Sequence, residues 1–203
     1  MRRSLLGLLT VVAVAGLLIM AGCERSNVLR VVSVNHGRTL ESDIADWGIW
    51  KDPQDPKSTP IPAYVIQADS AEIELQYVEV GAGLPTLTPF EAVINKATIT
   101  YTSETNPDVT YDPVVVPMTT YIMSDPTGKK TTKFMTTVLP VSWKTQYFDG
   151  DVAEPPDYGI LDVVDATIKF AGWDSVSLRK VEATGMLQIE IGNFYDNEQS
   201  FGR

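Results

Sequence analysis

Apolar and polar residues alternate at successive positions in several stretches of the chain beyond residue 27. In Ala71–Val80 every second residue is apolar, and most residues between them are acidic or carry an amide. Successive side chains of a strand point to opposite faces, so this pattern predicts a half-buried strand. Its predicted inward residues are Ile73, Leu75 and Tyr77, and its outward residues are Glu72, Glu74 and Gln76. The same pattern predicts strands over Val28–Val34, Val93–Thr102 (Ala97, Ile99 and Tyr101 inward), Leu161–Phe170 (Ala166, Ile168 and Phe170 inward) and a last strand with Leu187, Ile189 and Ile191 inward.

Two hairpins are predicted from turn residues between such segments. Asp125-Pro126-Thr127-Gly128 has the residue preferences of a type I turn, and it separates the Thr-rich segments Met118–Ser124 and Lys130–Leu139. The predicted inward set of this hairpin is Tyr121, Met123, Phe134 and Val138. The second hairpin turns at Gly172–Ser175 and continues through Val176–Phe194.

Three further segments are predicted as turns or loops. Asn35-His36-Gly37 is a turn, Lys51–Pro62 is a proline-rich loop, and Gly150–Gly159 is an acidic loop. No window of about 11 residues after residue 23 has a helical period, so no helix is expected in the globular part.

About eight short strands without intervening helices predict an all-β fold, an enlarged antiparallel β-sandwich with long proline-rich loops. The strand spacing resembles that of immunoglobulin-like and fibronectin-III-like modules. The chain lacks their Cys-Trp-Cys framework and is longer than a plain module of about 100 residues.

The first residues have the organisation of an export signal. Arg2 and Arg3 precede the uncharged run Leu5–Met20, and Met20-Ala21-Gly22-Cys23 follows. These last four residues resemble the lipobox of bacterial lipoproteins, although Met20 replaces the usual Leu. The resemblance implies a leader over 1–22 that is cleaved, acylation of Cys23 and a tether over 23–27. The length and strand pattern of the remaining residues predict a single β-sandwich domain over 28–203.

An uncleaved anchor helix over Ser4–Gly22 is the alternative, because its length approaches the roughly 20 residues that span a bilayer. Both interpretations leave the rest of the chain outside the cytoplasm, since the arginines stay inside. Lipoprotein sorting rules imply the outer membrane for Glu24 after the acylated Cys, if the organism has two membranes.

Composition removes several classes of function. With 16 basic and 26 acidic residues the net charge is −10, which disfavours nucleic-acid binding. Cys23 is the only cysteine, so no intrachain disulfide, thiolate metal site or cysteine nucleophile is expected. His36 is the only histidine, which removes sites that need two imidazoles.

The candidate partner-binding surface is Trp47, Trp50 and Tyr64, which bracket the proline-rich loop. Loop aromatics bring apolar area to a binding surface at low entropic cost. Aromatic side chains also fill the ends of sandwich cores, so burial in the core is the alternative for Trp47 and Trp50. The same two alternatives apply to Trp143 and Trp173 at predicted strand ends.

Candidate chemistry elsewhere is sparse. Asp149, Asp151 and Asp157 offer oxygen ligands to calcium, but their spacing does not match an EF-hand loop, and solvated turn residues explain them equally. His36 as a general base lacks a G-x-S-x-G partner motif. Glu72 and Glu74 are a candidate carboxylate pair for glycoside hydrolysis. The alternative is that they are solvent-facing residues of a strand without a catalytic role.

The sequence therefore predicts a lipid-anchored protein of the bacterial envelope that acts without catalysis, as an interaction or structural module. The expected partners are the membrane, through the acyl chains, and another envelope protein or a second copy. No cofactor is expected apart from the calcium considered above. The alternative is a carbohydrate-active protein, either a glycan-binding module or a hydrolase.

Overall fold

The computed structural model describes residues 28–50, 57, 61–78, 91–125, 127–153, 159–194 and 199–201. Most of them lie in β-strands. The elements are β1 (Val28–Val34), β2 (Leu40–Asp43), β3 (Asp46–Trp50), β4 (Ile61–Val65), β5 (Asp69–Val78), β6 (Glu91–Ser103), β7 (Val114–Met123), β8 (Thr132–Leu139), α1 (Val141–Ala153), β9 (Gly159–Asp174), β10 (Lys180–Asn193) and β11 (Gln199–Phe201).

The strands form two packed sheets and one small sheet. The three-stranded sheet has the order β1-β5-β8, and the five-stranded sheet has the order β2-β10-β9-β6-β7. Their facing side chains form one core, which includes Ile73, Leu75, Ile99 and Phe170, all fully buried. The small sheet has the order β11-β3-β4. The all-β sandwich prediction is confirmed.

Every strand predicted from strict alternation is confirmed, with bounds that differ by a few residues at most. The predicted inward residues of β5, β6, β9 and β10 are buried, as are Trp143 and Val138. Not every pairing is antiparallel, however, because β2 pairs with β10 in parallel and β11 pairs with β3 in parallel.

The first predicted hairpin is wrong. The predicted turn exists, since the Gly128 N–H donates to the Asp125 carbonyl at 3.0 Å. However, β7 pairs with β6 in the five-stranded sheet, whereas β8 pairs with β5 in the other sheet. The turn therefore carries the chain between sheets. Phe134 is partly buried against the core, but Tyr121 and Met123 are 56% and 59% exposed, so their predicted inward orientation is also wrong.

The absence of a helix is the second wrong prediction. α1 covers Val141–Ala153, including the beginning of the predicted acidic loop Gly150–Gly159, with a non-helical conformation at Phe148. Its buried residues are Trp143, Lys144 and Phe148. The Trp143 ring lies 4.8 Å from that of Tyr101, between ring centroids, so α1 closes one side of the core with an aromatic cluster.

The second hairpin is confirmed, but its turn lies farther along. β9 continues through Gly172 and Trp173 to Asp174, and the turn is Ser175–Ser177. A Cβ on Gly172 would lie 1.9 Å from the Val93 carbonyl oxygen, so the glycine serves the close approach of β9 to β6 rather than a turn.

The other predicted turns agree in part. Asn35, His36 and Gly37 form a single 3-10 turn with positive φ at all three residues. The predicted loop Lys51–Pro62 lies mostly outside the described residues, but Pro62 belongs to β4. β4 is an edge strand of the small sheet, a position that tolerates proline.

Candidate functional site

The predicted aromatic surface lies on the small sheet. Register places Trp47 opposite Tyr64 and Trp50 opposite Ile61. Tyr64 is half exposed, as a partner-binding residue should be. The side chains of Trp47 and Trp50 lie outside the described residues, so their role stays a prediction.

The structure brings His36 and the predicted glutamate pair together as a surface network. His36 Nε2 lies 3.4 Å from Glu72 Oε1, and Lys133 Nζ lies 3.0 Å from the same oxygen. Glu74 accepts hydrogen bonds from Thr131 at 2.5 Å and Ser33 at 3.2 Å. The Thr131 hydrogen bond lowers the pKa of Glu74. A glycosidase acid needs a raised pKa, which argues against Glu74 in that role.

Two of the three calcium candidates lie on the helix α1. Asp149 is exposed on α1, Asp151 also falls within α1, and Asp157 lies outside the described residues. Among described residues, no group of three or more His, Cys, Asp or Glu side chains is placed to hold a metal ion. The calcium site stays a prediction.

A buried ion pair joins α1 to the sheets. The Lys144 side chain is 1% exposed, and its Nζ lies 2.8 Å from Asp69 Oδ2. The same ammonium donates to the Asp43 carbonyl, and the Ser42 hydroxyl donates to Asp69 Oδ2 at 2.6 Å. These polar groups satisfy one another inside the protein. The arrangement therefore positions α1 against the sheets.

Two buried aspartates of β9 have similar structural roles. Asp162 accepts hydrogen bonds from the hydroxyls of Tyr111 and Ser103. Burial and the Asp162 carboxylate raise the pKa of Tyr111, which keeps its hydroxyl protonated as the donor. Asp174 accepts from the Tyr77 hydroxyl and from main-chain N–H groups of the β9–β10 turn.

Sequence reasoning missed both aspartates, although a signal was present. They occupy the same alternate positions of β9 as Ala166, Ile168 and Phe170, which were predicted to face inward. A carboxylate at an inward position of an alternating strand predicts a buried, hydrogen-bonded side chain.

A cleft of about 290 Å³ lies between β10 and the turn that follows β1. Arg38, Thr39, Met186 and Gln188 are among the residues that line it. This volume is at the lower limit for small-molecule sites, which typically enclose roughly 300–1,000 Å³.

The most distinctive surface lies at one end of the sandwich, and we call it the apical patch. It comprises five large apolar side chains that are more than one third exposed: Tyr121 (56%), Met123 (59%), Trp173 (38%), Val176 (55%) and Leu178 (75%). Large apolar patches on soluble proteins mark interaction sites.

The register of the neighbouring strands places the two aromatic residues of the patch, Tyr121 and Trp173, on either side of Val93. Tyr121 of β7 lies opposite Val93 of β6, and Val93 lies opposite Trp173 of β9. The three form a row across the outer face of the five-stranded sheet, where Val93 is only 7% exposed between its aromatic neighbours. Two strand spacings separate Tyr121 from Trp173, or about 9 to 10 Å. Val176 and Leu178 follow Trp173 in the β9–β10 turn, so the patch continues around the end of the sheet.

No protein-family model matches this chain, and no curated protein matches its sequence. None of the helices in the described ranges is long and apolar enough to cross a membrane. Residues 1–27, which contain the predicted leader, Cys23 and the predicted tether, lie outside those ranges.

Proposed function

We propose that this protein is a lipid-anchored, non-catalytic interaction module of the bacterial envelope, more specifically of the outer membrane where two membranes exist. The observation that carries the proposal is the apical patch. Five exposed apolar side chains at one end of a rigid sheet are typical of a contact surface.

The arrangement of polar groups supports a role without catalysis. The buried side chains Lys144, Asp162 and Asp174 are engaged in hydrogen bonds and ion pairs within the fold. Among the surface carboxylates, Glu72 and Glu182 form ion pairs with lysines. A catalytic acid or nucleophile needs access to its substrate, and these groups are either buried or engaged with structural partners.

A glycan-binding module is the second candidate, favoured by one observation. Tyr121 and Trp173 lie two strands apart on a sheet face, a separation close to the repeat of a β-linked disaccharide. Sugar rings stack their apolar faces on aromatic side chains, so two rings at this spacing suit an extended glycan.

Site-specific photo-crosslinking in bacteria tests the proposal. The full chain, with its leader, receives a photo-reactive residue at Tyr121, Trp173 or, as a control, Met186. Met186 is 66% exposed and lies outside the patch. We expect efficient crosslinks to an envelope component from Tyr121 and Trp173, and few from Met186.

Two further readouts complete the experiment. Mass spectrometry of the purified protein should find an acylated Cys23 at the mature N-terminus, and an intact leader with a free thiol would refute the anchor. Equal crosslinking at all three positions, or none, would refute the patch as a contact surface. Under the glycan alternative, soluble β-linked glycans should compete with the crosslinks.

A further inference from the structure

The apical patch lies at the end of the sandwich where the chain enters from its proposed anchor. β1 begins at Val28, which pairs with Val78 at the end of β5. Tyr77, next to Val78, forms a bridge to Ser124, which follows Met123 of the patch. The first described residue and the patch therefore share one end of the molecule.

The tether sets how far this end can be from the membrane. Four residues, 24–27, separate acylated Cys23 from Val28, which makes five Cα–Cα steps. Fully extended, five such steps span at most about 18 Å. If Cys23 carries the acyl chains, the patch is the part of the described structure that the tether holds nearest to the lipid.

Basic residues surround the patch, although the protein is acidic overall. Lys129 and Lys130 are exposed in the turn after β7, and Arg179 and Lys180 follow Leu178. Asp125 and Asp174, which lie at the same end, are buried. Glu182 pairs with Lys180 at 2.6 Å and with Lys169 at 3.2 Å, and Glu91 lies opposite Met123 in the sheet. Four cations and four carboxylates therefore lie near this end, where all four cations are exposed and two of the carboxylates are buried, whereas the whole chain carries −10.

This combination has the chemistry of a membrane-surface contact. Trp and Tyr are enriched at the level of lipid headgroups, where one part of the ring is in an apolar and another in a wet environment. Lysine and arginine beside such residues attract anionic headgroups.

We propose that the apical patch rests on the bilayer that holds the lipid anchor, with Trp173 and Tyr121 at headgroup depth. This inference rests on the proposed function, because it names the partner of the same contact surface. The anchor makes docking an intramolecular event, so a modest affinity suffices to orient the protein. The small sheet and the three-stranded sheet then remain available for partners in the envelope.

Spin labelling of the full, lipidated chain tests this orientation. Because acylation blocks Cys23, the only cysteine, single substitutions Met123→Cys, Leu178→Cys and Met186→Cys can each carry one nitroxide label. The protein is reconstituted in vesicles of phosphatidylethanolamine and phosphatidylglycerol. Collisions of the label with oxygen and with a water-soluble nickel complex then report its depth.

We expect the labels at 123 and 178 to be shielded from nickel and accessible to oxygen, and the label at 186 to be accessible to nickel. Lys129→Gln and Lys130→Gln should each reduce docking by about fivefold in anionic vesicles. Neither change should matter in vesicles of neutral phosphatidylcholine. Arg38→Gln, which removes an exposed charge in the turn at the opposite end of β1, is the matched control.

Equal nickel accessibility at all three positions would overturn the inference. So would labels at 123 and 178 that are shielded equally in detergent without a bilayer, since residues 79–90 or a second copy would then cover the patch. Dipolar broadening between labels identifies the second copy. If the patch crosslinks to a protein in cells but stays out of lipid in vesicles, this inference fails while the proposed function stands.

Discussion

The ion pair between Lys144 and Asp69 predicts that replacing either residue lowers the free energy of unfolding, but by different amounts. Lys144 is 1% exposed, whereas the Asp69 side chain is 20% exposed. Asp69 also keeps a hydrogen bond from the Ser42 hydroxyl at 2.6 Å when the lysine is lost. A partly hydrated carboxylate tolerates the loss of its partner better than a buried ammonium does.

The magnitudes follow from what each substitution leaves behind. Lys144→Met leaves the Asp43 carbonyl without its ammonium donor and Asp69 without its counter-charge, and the methionine still fills the space. We expect a loss of about 2–3 kcal/mol in the free energy of unfolding. Asp69→Asn leaves the buried ammonium without the Asp69 charge, which should cost about 3–5 kcal/mol.

Urea unfolding followed by far-UV circular dichroism measures both losses. Lys169→Met is the matched control, because the Lys169 and Glu182 side chains are 50% and 35% exposed. Removing that surface pair should cost less than about 1 kcal/mol. Equal losses for Lys144→Met and Asp69→Asn, or a loss for Lys144→Met no larger than that of Lys169→Met, would refute the reasoning.

Two further substitutions test the packing and electrostatics of the sheets. Asp174→Asn should cost about 1.5–3 kcal/mol at neutral pH, against less than about 0.5 kcal/mol for outward-facing Asp165→Asn. Burial by itself raises the pKa of Asp174, but hydrogen bonds from Ser177, Tyr77 and Val176 lower it overall. A carboxylate with a lowered folded pKa stabilises the protein above its unfolded pKa of about 3.9, and this contribution is lost as the pH falls below that value. The difference between wild type and Asp174→Asn should therefore shrink in acid, and a difference that grows would contradict the assignment. Gly185→Val should cost about 1–3 kcal/mol, because a Cβ at Gly185 would lie 2.8 Å from a Val34 methyl carbon and 2.9 Å from a Val31 methyl carbon. Thermal unfolding beside Thr184→Val, an exposed neighbour, measures this cost.

The alternation of polar and apolar residues predicted these strands because each of them has one face toward solvent and one face toward the core. In β5, glutamates and a glutamine separate Ile73, Leu75 and Tyr77, so only one orientation buries the apolar set. The sheet partner of a strand carries no such local signal. The turn Asp125–Gly128 is correctly predicted, but the pairing of β7 with β6 and of β8 with β5 depends on contacts far along the chain.

The helix escaped prediction because one of its inward residues is charged. Trp143, Lys144, Tyr147 and Phe148 form the inward stripe of α1, with Tyr147 partly buried. Lys144 and Phe148 form one of the two i, i+4 pairs of this stripe, so the helical pattern is weak when Lys144 is counted as a polar residue. Its partner Asp69 is 75 residues earlier in the chain, so no local window can show that the charge is compensated.

The apical patch was missed for a different reason, which also bears on its function. β7 carries apolar residues at both alternate sets of positions, with Val116, Met118 and Ile122 on one side and Val115, Tyr121 and Met123 on the other. Alternation cannot show which face of such a strand is toward the core, and the aromatic side chain of Tyr121 favoured the wrong face. The sheet of β7 packs on the core through one face only, so the second apolar set of β7 lies on the outer face, where clustered apolar side chains indicate a contact surface. A strand that is apolar on both faces but covered on one is therefore itself a sequence signal for a contact surface. Here that surface lies at the end of the sandwich where a lipid anchor would place the bilayer.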